Sequence, residues 1–127
     1  MSKNFYITTP IYYPSAKPHM GHAYSSIIAD FFARFKYIDD YKVHFLTGTD
    51  EHGLKIQRSA EKAGKEPQIF CDLISQTFRD LSDTLNLSNT DFIRTTEERH
   101  KKTVQHLWTI LEKNDDIYLS NYSGWYS

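Results

Sequence analysis

Two of the six histidines, His19 and His22, stand three residues apart in "PSAKPHMGHAY", behind Pro18 and with Met20 and Gly21 between them. Side chains three apart share a helix face, so if "HMGH" forms a first helical turn, both rings can address one object. A helix N-terminus adds free amide protons and the positive end of the dipole, which favour an anion such as a phosphate. Gly21 has no side chain and lets a flat ligand approach the backbone. Imidazoles donating to a polyphosphate whose charge grows during reaction would each contribute roughly 3 kcal/mol to the transition state, by analogy with oxyanion-hole donors. A second polar cluster, "TGTDEHG" at residues 47–53, follows an apolar run. Asp50, partly desolvated at a strand end, suits an ammonium partner such as an amino acid's α-amine. Glu51 and His52 read as the opening of the next helix, where an acid meets the positive dipole end or simply caps it.

The histidine pair alone leaves three readings open: a phosphate site, a metal site or a surface accident. His19, His22, His52, Asp50 and Glu51 include the ligand types that zinc or iron takes. Against a metal, no cysteine is close in sequence, and a helical ligand pair more often uses a four-residue step. "PIYYP" at residues 10–14 holds Ile11, Tyr12 and Tyr13 between prolines and could wall an apolar side-chain pocket, with Tyr12 the one expected to pack the loop down. Cys71 reads as inert packing. The basic residues at 99–102 and the set Lys55, Arg58, Lys62 and Lys65 read as solvated faces, with contact to tRNA as the alternative.

Which elements would position these residues follows from periodicity. Residues 4–8, "NFYIT", form a short aromatic and β-branched run ending at Thr9-Pro10, a strand signal. From about 20 to 37, Tyr24, Ile27, Ile28, Phe31 and Phe35 recur at helical steps and make one apolar stripe. Residues 42–48 read as a second strand, then a helix over 51–63 stopped by Gly64 in the left-handed cap position. Pro67 opens a longer helix, where its missing amide proton costs nothing. Phe70, Leu73, Ile74, Thr77, Phe78, Leu81 and Leu85 are expected to line its buried face. Residues 91–95 are a third strand. Thr95 and Glu98 form a capping-box pattern for a last helix with Val104, Leu107, Trp108 and Leu111 inward, and the tail "IYLSNYSGWYS" is strand-like in composition.

Strands alternating with helices argue for an α/β fold with a mostly parallel sheet. Ligands of such sheets gather at the carboxyl ends of the strands, where both polar clusters fall. The 127 residues suffice for a domain with a real core. A net charge of −1 excludes a global field drawing the chain to nucleic acid. One cysteine excludes an internal disulfide and fits a reducing compartment, so the chain is expected to be cytoplasmic. The N-terminal residues lack a signal-peptide run, and nothing is long and apolar enough to span a membrane.

"ITTPIYYPSAKPHMGHAY", "FLTGTDEHGLKIQ", "FIRTT" and "GWYS" together closely resemble the N-terminal part of bacterial methionyl-tRNA synthetases, over essentially all of the chain. "HMGH" is similar to the HIGH signature of class I aminoacyl-tRNA synthetases, and "TGTDEHG" is the more specific match. The resemblance implies the first half of a Rossmann-like (HUP-type) catalytic domain over residues 1–115, with the start of a truncated connective insertion at 116–127. By position, His19 and His22 match the histidines that bind ATP phosphates and stabilise adenylate formation. Gly21 matches the glycine under the adenine, and Asp50 the aspartate that holds the methionine ammonium. Ile11 and Tyr13 match the methionine pocket, with Pro10 beside them. The implied partners are L-methionine, ATP with Mg2+, and tRNA(Met).

The second half of the fold, the KMSKS loop and the anticodon-binding domain are absent, so the resemblance implies a fragment with little or no activity alone. Many relatives continue "GWYC" into a zinc knuckle. Ser127 stands there instead, and no zinc is expected in this stretch. Two rival readings predict other behaviour. A metal-dependent hydrolase on His19, His22 and Asp50 would be sensitive to chelators, and a non-catalytic nucleotide-binding module would bind ATP without amino-acid dependence.

Overall fold

A computed structural model describes residues 3–125. The chain divides into two compact units, residues 1–97 and 98–127. The first contains β1 (Lys3–Thr8), α1 (Met20–Ile38), β2 (Tyr41–Thr49), α2 (Leu54–Lys62), α3 (Pro67–Thr84) and β3 (Asp91–Arg94). The strands form one parallel sheet in the order β1-β2-β3, with Thr8 level with Leu46 and Thr49 level with Arg94. The expectation of an α/β fold with a mostly parallel sheet holds for this unit, where both strand pairings are parallel.

Side-chain alternation tells which face is covered, since residues two apart in a strand share a face. Ile7, Val43 and Phe45 pack against Ala29 and Ala33 of α1. Phe92, in register with Thr47, packs against Phe78 and Ile74 of α3, and the Thr49 hydroxyl meets that of Ser75 at 3.0 Å. These strand residues all belong to one face. Both helices therefore lie on the same side, as two crossovers of one hand stepping the same way across a sheet require. On the opposite face Tyr6, Thr8, Lys42 and His44 are exposed, with Tyr6 stacked on His44 at 5.4 Å. The outer edge of β1 has no strand partner among the described residues.

The apolar stripe of α1 is not the buried one. Tyr24, Ile27, Ile28, Phe31 and Phe35 are 41–69% exposed, whereas Ser26, Ala29, Asp30 and Ala33 are buried. Small side chains let the helix axis approach Phe45, and they too recur at three- and four-residue steps, so a second stripe competes for the sheet and wins on fit. Asp30 is tolerated there because Ser88 donates to it from both its N–H and its hydroxyl, and Arg34 from Nε at 2.6 Å. Burial raises the Asp30 pKa, but these hydrogen bonds outweigh it and leave the carboxyl below its ordinary value.

The longer helix begins as expected, with Pro67 in its first turn and Glu66 accepting from the Ile69 N–H at 3.1 Å. Phe70, Cys71, Ser75 and Phe78 are its buried residues, while Leu73 is half exposed and Leu81 and Leu85 are partly buried. Gly64 takes a φ of 62° after α2, as its cap role demands. That helix starts at Leu54, however, so Glu51 and His52 precede it.

Within the second unit, α4 (Glu98–Lys113) buries no residue fully: Val104, Leu107 and Trp108 are exposed rather than inward, and Leu111 is only partly buried. The expected capping box does not fit, because the helix begins at Glu98, three residues after Thr95, and the Thr95 hydroxyl accepts from the Glu51 N–H at 2.8 Å. Residues 114–125 form no strand; a strand-like composition yields a strand only where a ladder partner exists. The end of the tail lies outside the described residues. No described helix is long and apolar enough to cross a membrane.

Candidate active site at the carboxyl ends of the strands

The two histidines interlock at the start of α1. His19 is the N-cap residue, and its Nδ1 accepts the Gly21 N–H at 3.0 Å. The Nδ1 of His22 accepts the His19 N–H at 3.0 Å, closing a capping box made of imidazoles. Their rings lie 3.9 Å apart between centroids. Because each Nδ1 lends its lone pair to a backbone amide, the proton of each neutral ring belongs on Nε2. Burial, and then the neighbouring His19, lower the His22 pKa below 6.5, so the neutral form is favoured. This differs from the expected free amides: the N–H groups of His19 and Gly21 are engaged by the rings and that of His22 by the His19 carbonyl, and the donors left for a ligand include two imidazole Nε2–H groups. Gly21 also has a local reason, since a Cβ there would lie 2.9 Å from Cε1 of His19.

The loop between β1 and α1 is held by Tyr12, which pairs with Thr49 as an isolated parallel bridge. Its ring is buried, stacked on Phe78 at 5.5 Å and edge-on to His22 at 4.8 Å. Its hydroxyl meets Ser25 and Ser26, each at 2.9 Å. Tyr12 thus packs the loop down, as expected, and its neighbours face outward. A cavity of about 290 Å³ brings Ile11, Tyr13, His19 and His22 together with Tyr12, Lys17 and Lys55. Lys55, read from sequence as a solvated face, sits with its Nζ 5.8 Å from the Tyr13 ring centre. Lys17 and Lys55 bring positive charge that neutral imidazoles lack.

Asp50 does not line that cavity but acts on it through Tyr13: the nearby Asp50 carboxylate favours the protonated phenol and raises the Tyr13 pKa above 10.0. Asp50 donates its own N–H to the Tyr12 carbonyl at 2.8 Å, which ties the end of β2 to the aromatic loop. Pro10 and Gly21 lie outside the cavity lining, with the Pro10 carbonyl accepting from the Thr9 hydroxyl at 2.9 Å. A larger cavity, about 560 Å³, opens at the amino ends of the strands around Tyr41, Val43 and Thr90 and contains none of the candidate residues.

Glu51 overturns its sequence reading. It is 5% exposed, and its carboxylate accepts from Arg94 Nε at 2.7 Å, Arg94 Nη2 at 3.0 Å, the Thr49 hydroxyl at 2.7 Å and the Thr96 hydroxyl. Burial pushes its pKa up, but the Arg94, Thr96 and Thr49 hydrogen bonds outweigh that and hold the carboxyl below 4.5. Arg94 also reaches Asp72 at 2.5 Å, and these hydrogen bonds raise its own pKa. Cys71 is buried with its thiol pushed up to about 11, which suits packing rather than nucleophilic work. His52 places Nε2 3.2 Å from the Thr95 carbonyl. Among the described residues no three His, Cys, Asp or Glu side chains come together as metal ligands would.

The family described as "tRNA synthetases class I (M)" matches residues 5–127. The chain belongs to that family. A mitochondrial methionine–tRNA ligase of Takifugu rubripes is 56% identical over 99% of this chain and 21% of its own length. A methionine–tRNA ligase of Mesorhizobium japonicum is 52% identical over 98% and 24%. The crystal structure of the Mycobacterium tuberculosis methionyl-tRNA synthetase bound by methionyl-adenylate superposes with a TM-score of 0.94 at 49% identity, over 98% of this chain and 25% of that one. A ternary complex of an Agrobacterium radiobacter leucyl enzyme, at 23% identity and a TM-score of 0.78, shares the fold alone. The chain thus spans about a fifth to a quarter of its methionine relatives. It matches the N-terminal Rossmann-like part of a class I synthetase, and relatives that are ligases do not favour the hydrolase reading.

Proposed function

We propose that this chain is the first half of the catalytic domain of a methionine–tRNA ligase, which activates L-methionine with ATP and passes the methionyl group to tRNA(Met). The observation that carries the reading is the imidazole capping box: it fixes two Nε2–H donors side by side at a helix N-terminus, on a cavity that also holds two lysines. In this reading ATP enters as its Mg2+ complex. His19 and His22 donate to phosphate oxygens as charge builds on the departing pyrophosphate, and Gly21 lies under the adenine. Ile11 and Tyr13, with Pro10 beside them, wall the methionine side chain, and Asp50 takes its ammonium. Attack is by the methionine carboxylate on the α-phosphorus. No covalent enzyme intermediate is needed; positioning and charge stabilisation do the work.

Residues 116–127 would begin the connective insertion, no zinc belongs to the reading of this stretch, and the isolated chain has little or no exchange activity. The reducing cytoplasm is the compartment proposed. The test is amino-acid-dependent exchange of pyrophosphate into ATP by the full-length protein. Exchange with methionine alone, lost in His22→Ala, supports the assignment. Exchange with no amino acid overturns it.

A further inference from the structure

Glu51 and Arg94 are separated by 43 residues, yet every polar group of Glu51 is engaged around that contact. Both carboxylate oxygens are filled as described above, the N–H donates to the Thr95 hydroxyl, and the carbonyl accepts from the Cys71 thiol at 3.8 Å. Asp50 is the residue just before. On its other side Thr49 lies in the sheet, with its carbonyl accepting the Thr95 N–H at 3.1 Å. Immediately beyond, Gly53 takes a φ of 99°, a conformation glycine adopts without strain, so the segment from 50 to 53 has no regular secondary structure to hold it. A buried charge pair is seldom the cheapest way to stabilise a fold, and its best-attested use is to specify one arrangement. Here the arrangement specified is the backbone from which Asp50 projects.

We propose that the Glu51–Arg94 pair is the positioning element for Asp50, and that it governs amino-acid binding rather than ATP binding. This rests on the reading of Asp50 as the ammonium partner. The pair touches neither the histidine capping box nor the lysines of the cavity. Its loss should therefore move the carboxylate of Asp50 and leave the phosphate end of the site as it is. Tyr13 offers a reporter independent of activity, because the Asp50 carboxylate favours its protonated phenol, with Lys55 the other charged group at its ring.

The variants are Glu51→Gln, which keeps shape but removes the charge, and Arg94→Lys, which keeps the charge but loses the two-pronged contact. In the full-length protein each should raise the KM for methionine about tenfold with the KM for ATP unmoved, the usual scale for losing a group that orients a ligand-binding residue. In the same proteins, NMR titration of Tyr13 should show its pKa falling toward 10.0, and the same fall is expected in Asp50→Asn. An unmoved Tyr13 pKa and an unmoved methionine KM, in variants that melt lower, overturn the proposal and leave the pair as packing. If Tyr13 responds but Asp50→Asn leaves the methionine KM unchanged, the positioning of Asp50 stands and the ammonium assignment falls.

Discussion

The two polar clusters at the carboxyl ends of the strands are held by opposite means. The histidine cluster is local: both rings bond to backbone within three residues, both are accessible, and neither needs the sheet to keep its tautomer. The Glu51 cluster is long-range and buried, with partners from β2, β3, α3 and the turn after β3. The contrast teaches where each group can afford to be altered. Groups meant to meet a ligand are supported by the cheapest local bonds, and the groups that place them are locked into the interior.

Variants in the two clusters should therefore separate stability from activity. Arg94→Ala has the largest expected effect on stability, about 3 kcal/mol, because it leaves the Glu51 carboxylate buried and unpaired; a denaturant melt reads it directly. Gly48→Ala should cost about 2 kcal/mol by overpacking, since a Cβ there falls 1.9 Å from the Ile93 carbonyl and β2 and β3 must part. Loss under 0.5 kcal/mol would mean the strands adjust freely. His19→Ala removes one cap and should cost about 1 kcal/mol, while abolishing most exchange by the full-length protein. The reverse pattern, large loss of stability with exchange retained, would erase the distinction between the clusters.

Acid should probe the same contrast more gently. The folded-state pKa of His22 lies below 6.5, so the unfolded chain binds protons first and stability falls as pH drops through 6.5. The folded-state pKa of Glu51 lies below 4.5, so its contribution is complete above that value and is lost on further acidification. Melts in His22→Ala should lack the first decline and keep the second.

Much of this was legible in sequence where the cause is local. The three-residue histidine step, Pro67 at a helix start and Gly64 at a helix end each carry their own geometry. The parallel sheet followed from alternation of elements. What was not legible depended on partners far along the chain. Glu51 looks like a helix-opening acid until Arg94, 43 residues on, claims it, and Thr95 looks like a cap until the Glu51 amide does. The aromatic stripe of α1 outweighed the small-residue stripe in hydrophobicity, yet fit to the sheet chose Ala29 and Ala33. A signal for that choice was present in the spacing of Ser26, Ala29, Asp30 and Ala33. The free amides expected at the helix start were claimed by the rings beside them, a use of histidine that its type alone does not announce.

The most direct test of the account is the protonation of those two rings. Long-range 15N–1H correlation spectra of the folded protein at pH 7.5 should show His19 and His22 neutral, with unprotonated Nδ1 and protonated Nε2. A ring carrying a proton on Nδ1 would contradict the capping box, and the neutral Nδ1–H tautomer would also remove the Nε2–H donor on which the proposed chemistry depends.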